Sequence, residues 1–258
     1  MPAMDSGRSH SEVHWALLIS GLGVLIWSGV GPRDRLTWML EVSPVVVGGA
    51  LLLAIYRRFR FSTLAYGLMW VHALIMMVGG HWTYAHVPAF NWLRETFHLT
   101  RNHYDRLGHV AQGFVPAIVA REVLLRASPL RRGGWLFFLV LCVCLAISAA
   151  TELVEWGAAM VMGGTAEQFL SLQGDPWDTQ WDMFFAGCGA LAAQLLLARL
   201  HDRSMAAVVP IAEAEPVVNS HPLPLRGREV EVAARDHLPV PGRAREAEVA
   251  DEEPAIRS

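Results

Sequence analysis

The sequence predicts an all-α, polytopic integral membrane protein, a bundle of about six transmembrane helices with both termini in the cytoplasm. Three observations predict it. Apolar residues make up 53% of the 258-residue chain and charged residues only 17%, against about a quarter charged in a soluble domain. Six stretches approach the roughly twenty apolar residues that a bilayer core requires. Arginine supplies every non-histidine basic side chain, and it gathers at alternate ends of those stretches, as the positive-inside rule expects of cytoplasmic loops.

The first stretch, 13–30, is short but free of charge. It closes on glycines and Pro32 with no small-residue cleavage pattern, so it reads as a retained helix and not as a removed signal. The second, 37–56, carries Glu41 near one end, where an interfacial carboxylate is tolerable, and stops at Arg57, Arg58 and Arg60. The third, 62–78, holds His72 in mid-span, read as a hydrogen-bonded packing residue. Residues 79–92 then read as an interfacial loop anchored by Trp82, Tyr84 and Trp92. The fourth, 105–125, is the least hydrophobic, interrupted by Arg106, His109, Gln112, Arg121 and Glu122. The fifth, 135–162, is the clearest, yet Glu152 and Glu155 fall in its second half. The sixth, 181–200, ends at Arg199 and Arg203. No internal repeat is evident in the sequence, although inverted groups of helices can hide at this level of divergence.

These stretches divide the chain into a cytoplasmic N-terminus (1–12), a six-helix transmembrane domain (13–203) and a tail (204–258). The tail is rich in Glu, Arg, Pro, Ala and Val without Phe, Trp or Tyr, which predicts a disordered cytoplasmic extension. A net charge of -3 and the absence of a phosphate loop or zinc-finger spacing exclude a nucleic-acid binder. Cys142, Cys144 and Cys188 lie inside apolar runs and read as small core residues, not as a disulfide framework or metal site. Arg57, Arg58, Arg60, Arg126, Arg131, Arg132, Arg199 and Arg203 mark the cytoplasmic ends. The sparser Arg33, Arg35, Arg94 and Arg101 mark the other face, periplasmic in a bacterial inner membrane.

At that outer face four polar segments converge: GGHWTYAHVPAFNW, TRNHYDRLGH, TELVEW and QGDPWDTQWDM. A charge within a transmembrane helix costs about 2.5–3.5 kcal/mol, so it is expected to be paired or functional. Asp105 and His109 are four apart, Glu152 and Glu155 three apart, and Asp178 and Asp182 four apart, so each pair shares one helix face. Facing helices that present carboxylates and imidazoles are how bundles build metal sites. Asp105, His109, Asp178 and Asp182 are the candidate ligands of a divalent metal: oxygen donors suit Mg, Mn or Ca, and His adds Zn or Fe. Glu152, Asp182 and His109 are candidate acid–base groups. His81, His86, His103, Arg106 and Trp177 are candidate substrate contacts.

Each residue also has a structural reading. Asp175-Pro176 resembles a helix start with Asp175 as N-cap, Asp105 could cap the fourth helix or pair with Arg101 or Arg106, and Glu155 could snorkel to the interface. His98 and the other loop histidines could be solvated. Trp177 and Trp181 read equally as an aromatic belt.

In that order, GGHWTYAHVP, RNHYDRLGHVAQGFVPA, ELVEW and QGDPWDTQWDM closely resemble the YjdF-type family of bacterial inner-membrane proteins, over roughly 15–200. The resemblance implies a bacterial inner-membrane location and brings no activity with it. A more distant likeness is to VanZ-like membrane proteins, with Asp105, Arg106 and His109, then Glu152, then Asp178 and Asp182 before Gly187 and Gly189, at the matching positions. The usual amide before the final glycines is absent and the acidic segment is denser. That likeness implies a lipid or envelope-precursor ligand.

The expectation is therefore a multi-pass inner-membrane protein whose outward site binds a metal or a polar headgroup. Its partners are the lipid bilayer and a lipid or envelope precursor. A proton-coupled small-molecule transporter, with Glu152 and His109 as relay, and a non-catalytic assembly protein are the alternatives.

Overall fold

The computed structural model describes residues 3–162 and 173–208, and among them it forms seven α-helices and one 3₁₀ turn. The helices are α1 (Ala3–Gly29), α2 (Arg35–Ile55), α3 (Thr63–Trp82), α4 (Pro88–Thr96), α5 (Tyr104–Ala127), α6 (Gly134–Met162) and α7 (Asp178–Ala206), with the turn at Tyr84–His86. Five of them, α1, α2, α3, α6 and α7, are long and apolar enough to cross a membrane. Large apolar side chains such as Ile26, Val47 and Leu195 point outward, as lipid-facing residues must.

Helix α5 fails an apolarity test because its neighbours shield it. Its buried side chains include Asp105, His109, Arg121 and Glu122, and α3, α6 and α7 pack around it. It runs parallel to α7 and in step with it, from the Asp105–His109–Asp182 group at one end to Glu122 and His201 at the other. A helix in register with a membrane-crossing partner over that length crosses with it, which completes the sixth span. Two glycines permit the close approach: a Cβ on Gly113 would lie 1.7 Å from the Ala186 carbonyl oxygen, and one on Gly189 would lie 2.1 Å from that of Val110. Ala117, Ala190 and Ala193, all buried, continue this small-residue seam.

The first three helices repeat the arrangement in the opposite direction. Helices α1 and α3 are parallel: His14 meets Thr63, Trp70 donates to Ser20 and His81 reaches the Ser28 carbonyl. Helix α2 returns antiparallel against α3, its start beside the end of α3, and α6 returns against both α5 and α7. The bundle is thus two three-helix units of opposed direction, joined by the turn and α4.

Several local expectations are corrected. Residues 79–92 are not a loop: α3 continues to Trp82, and α4 begins at Pro88, which suits a first helical turn. Thr83 ends α3 in the left-handed region at φ 54° and turns the chain so that Tyr84 packs on Gly79, where a Cβ would meet its ring at 2.5 Å. Asp175 is not the N-cap of the last helix, which starts at Asp178 with Trp177 in the cap position; Asp175 instead accepts from the Trp177 N–H at 3.0 Å. Asp105 does not cap α5 either, lying inside its first turn. Helix α7 extends past 203 to Ala206, and the rest of the expected tail, 209–258, lies outside the described residues, as do residues 1–2.

The arginine-rich helix ends lie together, as the sequence expects. There the Glu122 carboxylate accepts from Ser62 N at 2.8 Å, Ser62 Oγ at 2.7 Å, Arg126 at 2.6 Å and His201 Nε2 at 3.0 Å. Arg121 pairs with Asp202 at 2.8 Å and donates to His201 Nδ1 at 3.0 Å. This network ties the start of α3, the end of α5 and the end of α7.

Candidate functional site

The opposite end gathers the acidic and histidine residues. Helices α5 and α7 start there, α3 and α6 end there, and α2 brings Glu41 from its second turn. At the entrance, Arg101 is buried between carboxylates. It hydrogen-bonds Asp178 closely and lies 3.5 Å from both Asp105 and Asp175. Burial works against its charge, yet the hydrogen bond and charge of Asp178, with Asp105 and Asp182, raise its pKa above the ordinary arginine value. Arg106 pairs with Asp175 at 3.2 Å and stacks 5.5 Å from the rings of Trp181 and Phe185. The chain leading into α5 is fixed by Asn102, which donates its backbone N–H to Gln173 Oε1 at 2.9 Å and its side-chain N–H to Val87 O and Asn91 Oδ1.

Below Arg101 sits His109. Its Nε2 is 3.6 Å from Asp105 Oδ1 and 3.6 Å from Asp182 Oδ1, too far for either to be a good hydrogen bond. Asp182 Oδ1 and Asp105 Oδ2 are buried with no hydrogen-bond partner. The other ring nitrogen is held by a chain of hydrogen bonds. Thr151 Oγ1 donates to Ile147 O at 3.0 Å, Gln112 Nε2 donates to Thr151 Oγ1 at 3.0 Å, and Gln112 Oε1 therefore faces His109 Nδ1 at 3.1 Å. That direction puts a proton on Nδ1 and turns Nε2 toward the carboxylates.

One ligand atom each from Asp105, His109 and Asp182 lie within 4.8 Å of one another, and so do those of His109, Glu152 and Glu155. Beside them a cavity of about 60 Å³ is walled by Glu41, His72, Met76, Tyr84, Asp105, Gly108, His109, Gln112, Thr151 and Glu155. Its walls come from both three-helix units.

The expected site residues sort accordingly. Asp105, His109, Asp182 and Glu152 come together. Asp178, expected as a metal ligand, is engaged by Arg101. His81, expected as a substrate contact, is buried on the Ser28 carbonyl and stacked 4.8 Å from Trp27, where it ties α1 to α3. His86 is an exposed turn residue bonded to Thr83 at 3.0 Å, and Trp177 is 64% exposed. His103 stands half-buried just ahead of α5. Burial with Arg33 lowers the pKa of His86, and burial with Arg106 and Arg101 lowers that of His103. Glu155 faces the cavity and does not merely snorkel, and Glu41 and His72 line the same cavity. Those three, with Arg101 and the Gln112–Thr151 pair, are the functional candidates that sequence reasoning missed. For those within helices the one visible signal was polarity inside an apolar run, while Arg101 lies ahead of α5 and was visible only as a candidate partner of Asp105.

Six spans closing around a buried acidic and histidine cluster define a multi-pass helical membrane protein. The chain belongs to the family described as "Predicted membrane protein (DUF2238)", which matches residues 13–203. It is 51% identical over 182 residues to the inner membrane protein YjdF of Escherichia coli strain K12, an alignment covering 70% of this chain and 87% of that one. This relationship makes it a bacterial inner-membrane protein. No solved structure matches it.

Proposed function

We propose that this protein binds a divalent cation through Asp105, His109 and Asp182 at the periplasmic face of the membrane. Through that ion it would engage the polar headgroup of a lipid or envelope precursor. The observation that carries the reading is the buried Asp182 Oδ1, which has no hydrogen-bond partner and lies 3.6 Å from His109 Nε2, with Asp105 Oδ1 at the same distance from that nitrogen. Ligands of one ion bound at roughly 2 Å stand about 3–4 Å apart, and the 3.6 Å separations suit that spacing.

Charge supports a cation over an anionic headgroup alone. Glu41, Asp105, Glu152, Glu155, Asp175, Asp178 and Asp182 crowd this end, against the guanidiniums of Arg101 and Arg106. In a low-dielectric setting such an excess calls for positive charge. Once bound, a divalent ion supplies Lewis acidity toward a phosphate or carbonyl oxygen. Arg106, on the entrance rim, is positioned to meet the rest of an anionic headgroup. The periplasmic placement rests on the arginine-rich opposite end.

Elemental analysis of detergent-purified full-length protein is expected to find one equivalent of a divalent metal, lost in Asp182→Asn and in His109→Gln. Retention of the metal in both variants would refute the site, and so would wild-type protein that stays metal-free after loading.

The two opposed three-helix units favour a second reading, a cation-coupled carrier, because inverted units with a cavity between them are a transporter arrangement. Cation flux in proteoliposomes that Glu152→Gln abolishes would support it over a static binding site.

A further inference from the structure

Outside the Asp105–His109–Asp182 group, Glu152 and Glu155 stand one turn apart on α6 at the same end of the bundle. Glu152 is 8% exposed and its Oε1 has no hydrogen-bond partner, an arrangement whose cost is relieved when a positive ligand completes it. Ligand atoms of Glu152, Glu155 and His109 lie within 4.8 Å of one another. Gln112 occupies Nδ1 at 3.1 Å, which leaves Nε2, the nitrogen that faces Asp105 and Asp182, as the one available to an ion on this side too.

We propose that the cation has a second seat on the α6 side of His109, formed by Nε2 with Glu152 and Glu155, and that the two seats are alternatives for one ion. An imidazole nitrogen has one lone pair and ligates one cation at a time, so the triads are not a two-metal centre. The second seat adjoins the cavity, since Glu155 is part of its wall. A volume of about 60 Å³ holds about two water molecules at roughly 30 Å³ each, which would help complete the shell of a hard cation that keeps some of its water. The ion thus exchanges between a seat ligated from α5 and α7 and a half-hydrated seat facing the cavity. This inference rests on the cation reading of the Asp105–His109–Asp182 group.

The test is titration of the full-length detergent-purified protein with Mn²⁺, following free Mn²⁺ by electron paramagnetic resonance. Wild type is expected to take up one equivalent. The Asp105→Asn/Asp182→Asn variant should still bind one, at least tenfold more weakly, and should lose it when Glu152→Gln and Glu155→Gln are added. Glu152→Gln/Glu155→Gln alone should keep one tight equivalent. Two equivalents on wild type would overturn the shared-nitrogen argument. Complete loss in Asp105→Asn/Asp182→Asn, with wild-type binding intact, would remove the second seat and leave the first standing. No binding to wild type would sink both. If a double variant does not purify, Asp182→Asn with and without Glu152→Gln carries the same comparison.

Discussion

His109 owes its orientation to side chains that never touch its reactive nitrogen. Gln112 and Thr151 pass a directional set of hydrogen bonds to the Ile147 carbonyl, and so fix which nitrogen bears the proton. Replacing Gln112 by Leu should therefore weaken Zn²⁺ or Mn²⁺ binding by about 10–100-fold, read by the same titration, although no ligand has changed. Since ligation requires the free lone pair, bound metal should be released with proton uptake as pH falls. At the other extreme of scale for one residue, Asp34 accepts from the Thr37 N–H at 2.7 Å, and that bond holds its carboxyl below the ordinary value of 3.8. The stabilisation is complete above 3.8 and is lost as pH falls through the lower folded value. Asp34→Ala should cost about 1 kcal/mol, visible as a lower melting temperature in detergent. The pairs Asp105/His109 and Asp178/Asp182 were legible in the sequence because helical spacing reveals them. Arg101 with Asp178, or Gln112 with Thr151, joins residues 77 and 39 positions apart, and no local period encodes such a meeting.

Among the elements, α5 and α7 set the precision of the site. Gly113 lies one turn beyond His109, and Ala186 one turn beyond Asp182, so the glycine seam fixes the separation of the ligands above it. Gly113→Ala and Gly189→Ala add a methyl where the Ala186 or Val110 carbonyl already stands. Each should push the helices apart and lose metal affinity while the purified variant still contains every ligand; affinity unchanged from wild type would show that the seam does not position the site. The Glu122 network makes the opposite prediction. Glu122→Ala strands the buried His201 and removes the carboxylate partner of the half-buried Arg126, and should destabilise by about 3–5 kcal/mol, measured as thermal loss, with metal stoichiometry preserved in the folded fraction. Hydropathy revealed the five apolar helices and most of their ends, but α1 begins at Ala3, inside the segment expected as a separate N-terminus, and α7 runs on past 200 to Ala206, because polar turns continue a helix beyond the apolar run. It missed α4 because that helix is short and amphipathic, and it gave α5 a weak signal because a helix sheathed by other helices has no need of an apolar surface.

At the scale of the whole molecule, the opposed direction of the two three-helix units escaped the sequence because packing direction leaves no residue pattern. The even number of spans puts both ends of the bundle on one face. If that face is cytoplasmic, a cysteine at Trp92 in a cysteine-free background should react with a membrane-impermeant maleimide in whole cells, and one at the exposed Ala207 should not. The reverse pattern would turn the site to the cytoplasm.

The polarity of α5 also bears on how the protein is made. A segment carrying Asp105, Arg106, His109, Arg121 and Glu122 meets the insertion machinery before α6 and α7 have been synthesised, and alone it pays the full cost of those charges in lipid. It should enter the bilayer only in company with the helices that follow. A topology reporter fused after residue 133 should then report from the periplasm, whereas the same reporter after residue 208 reports from the cytoplasm.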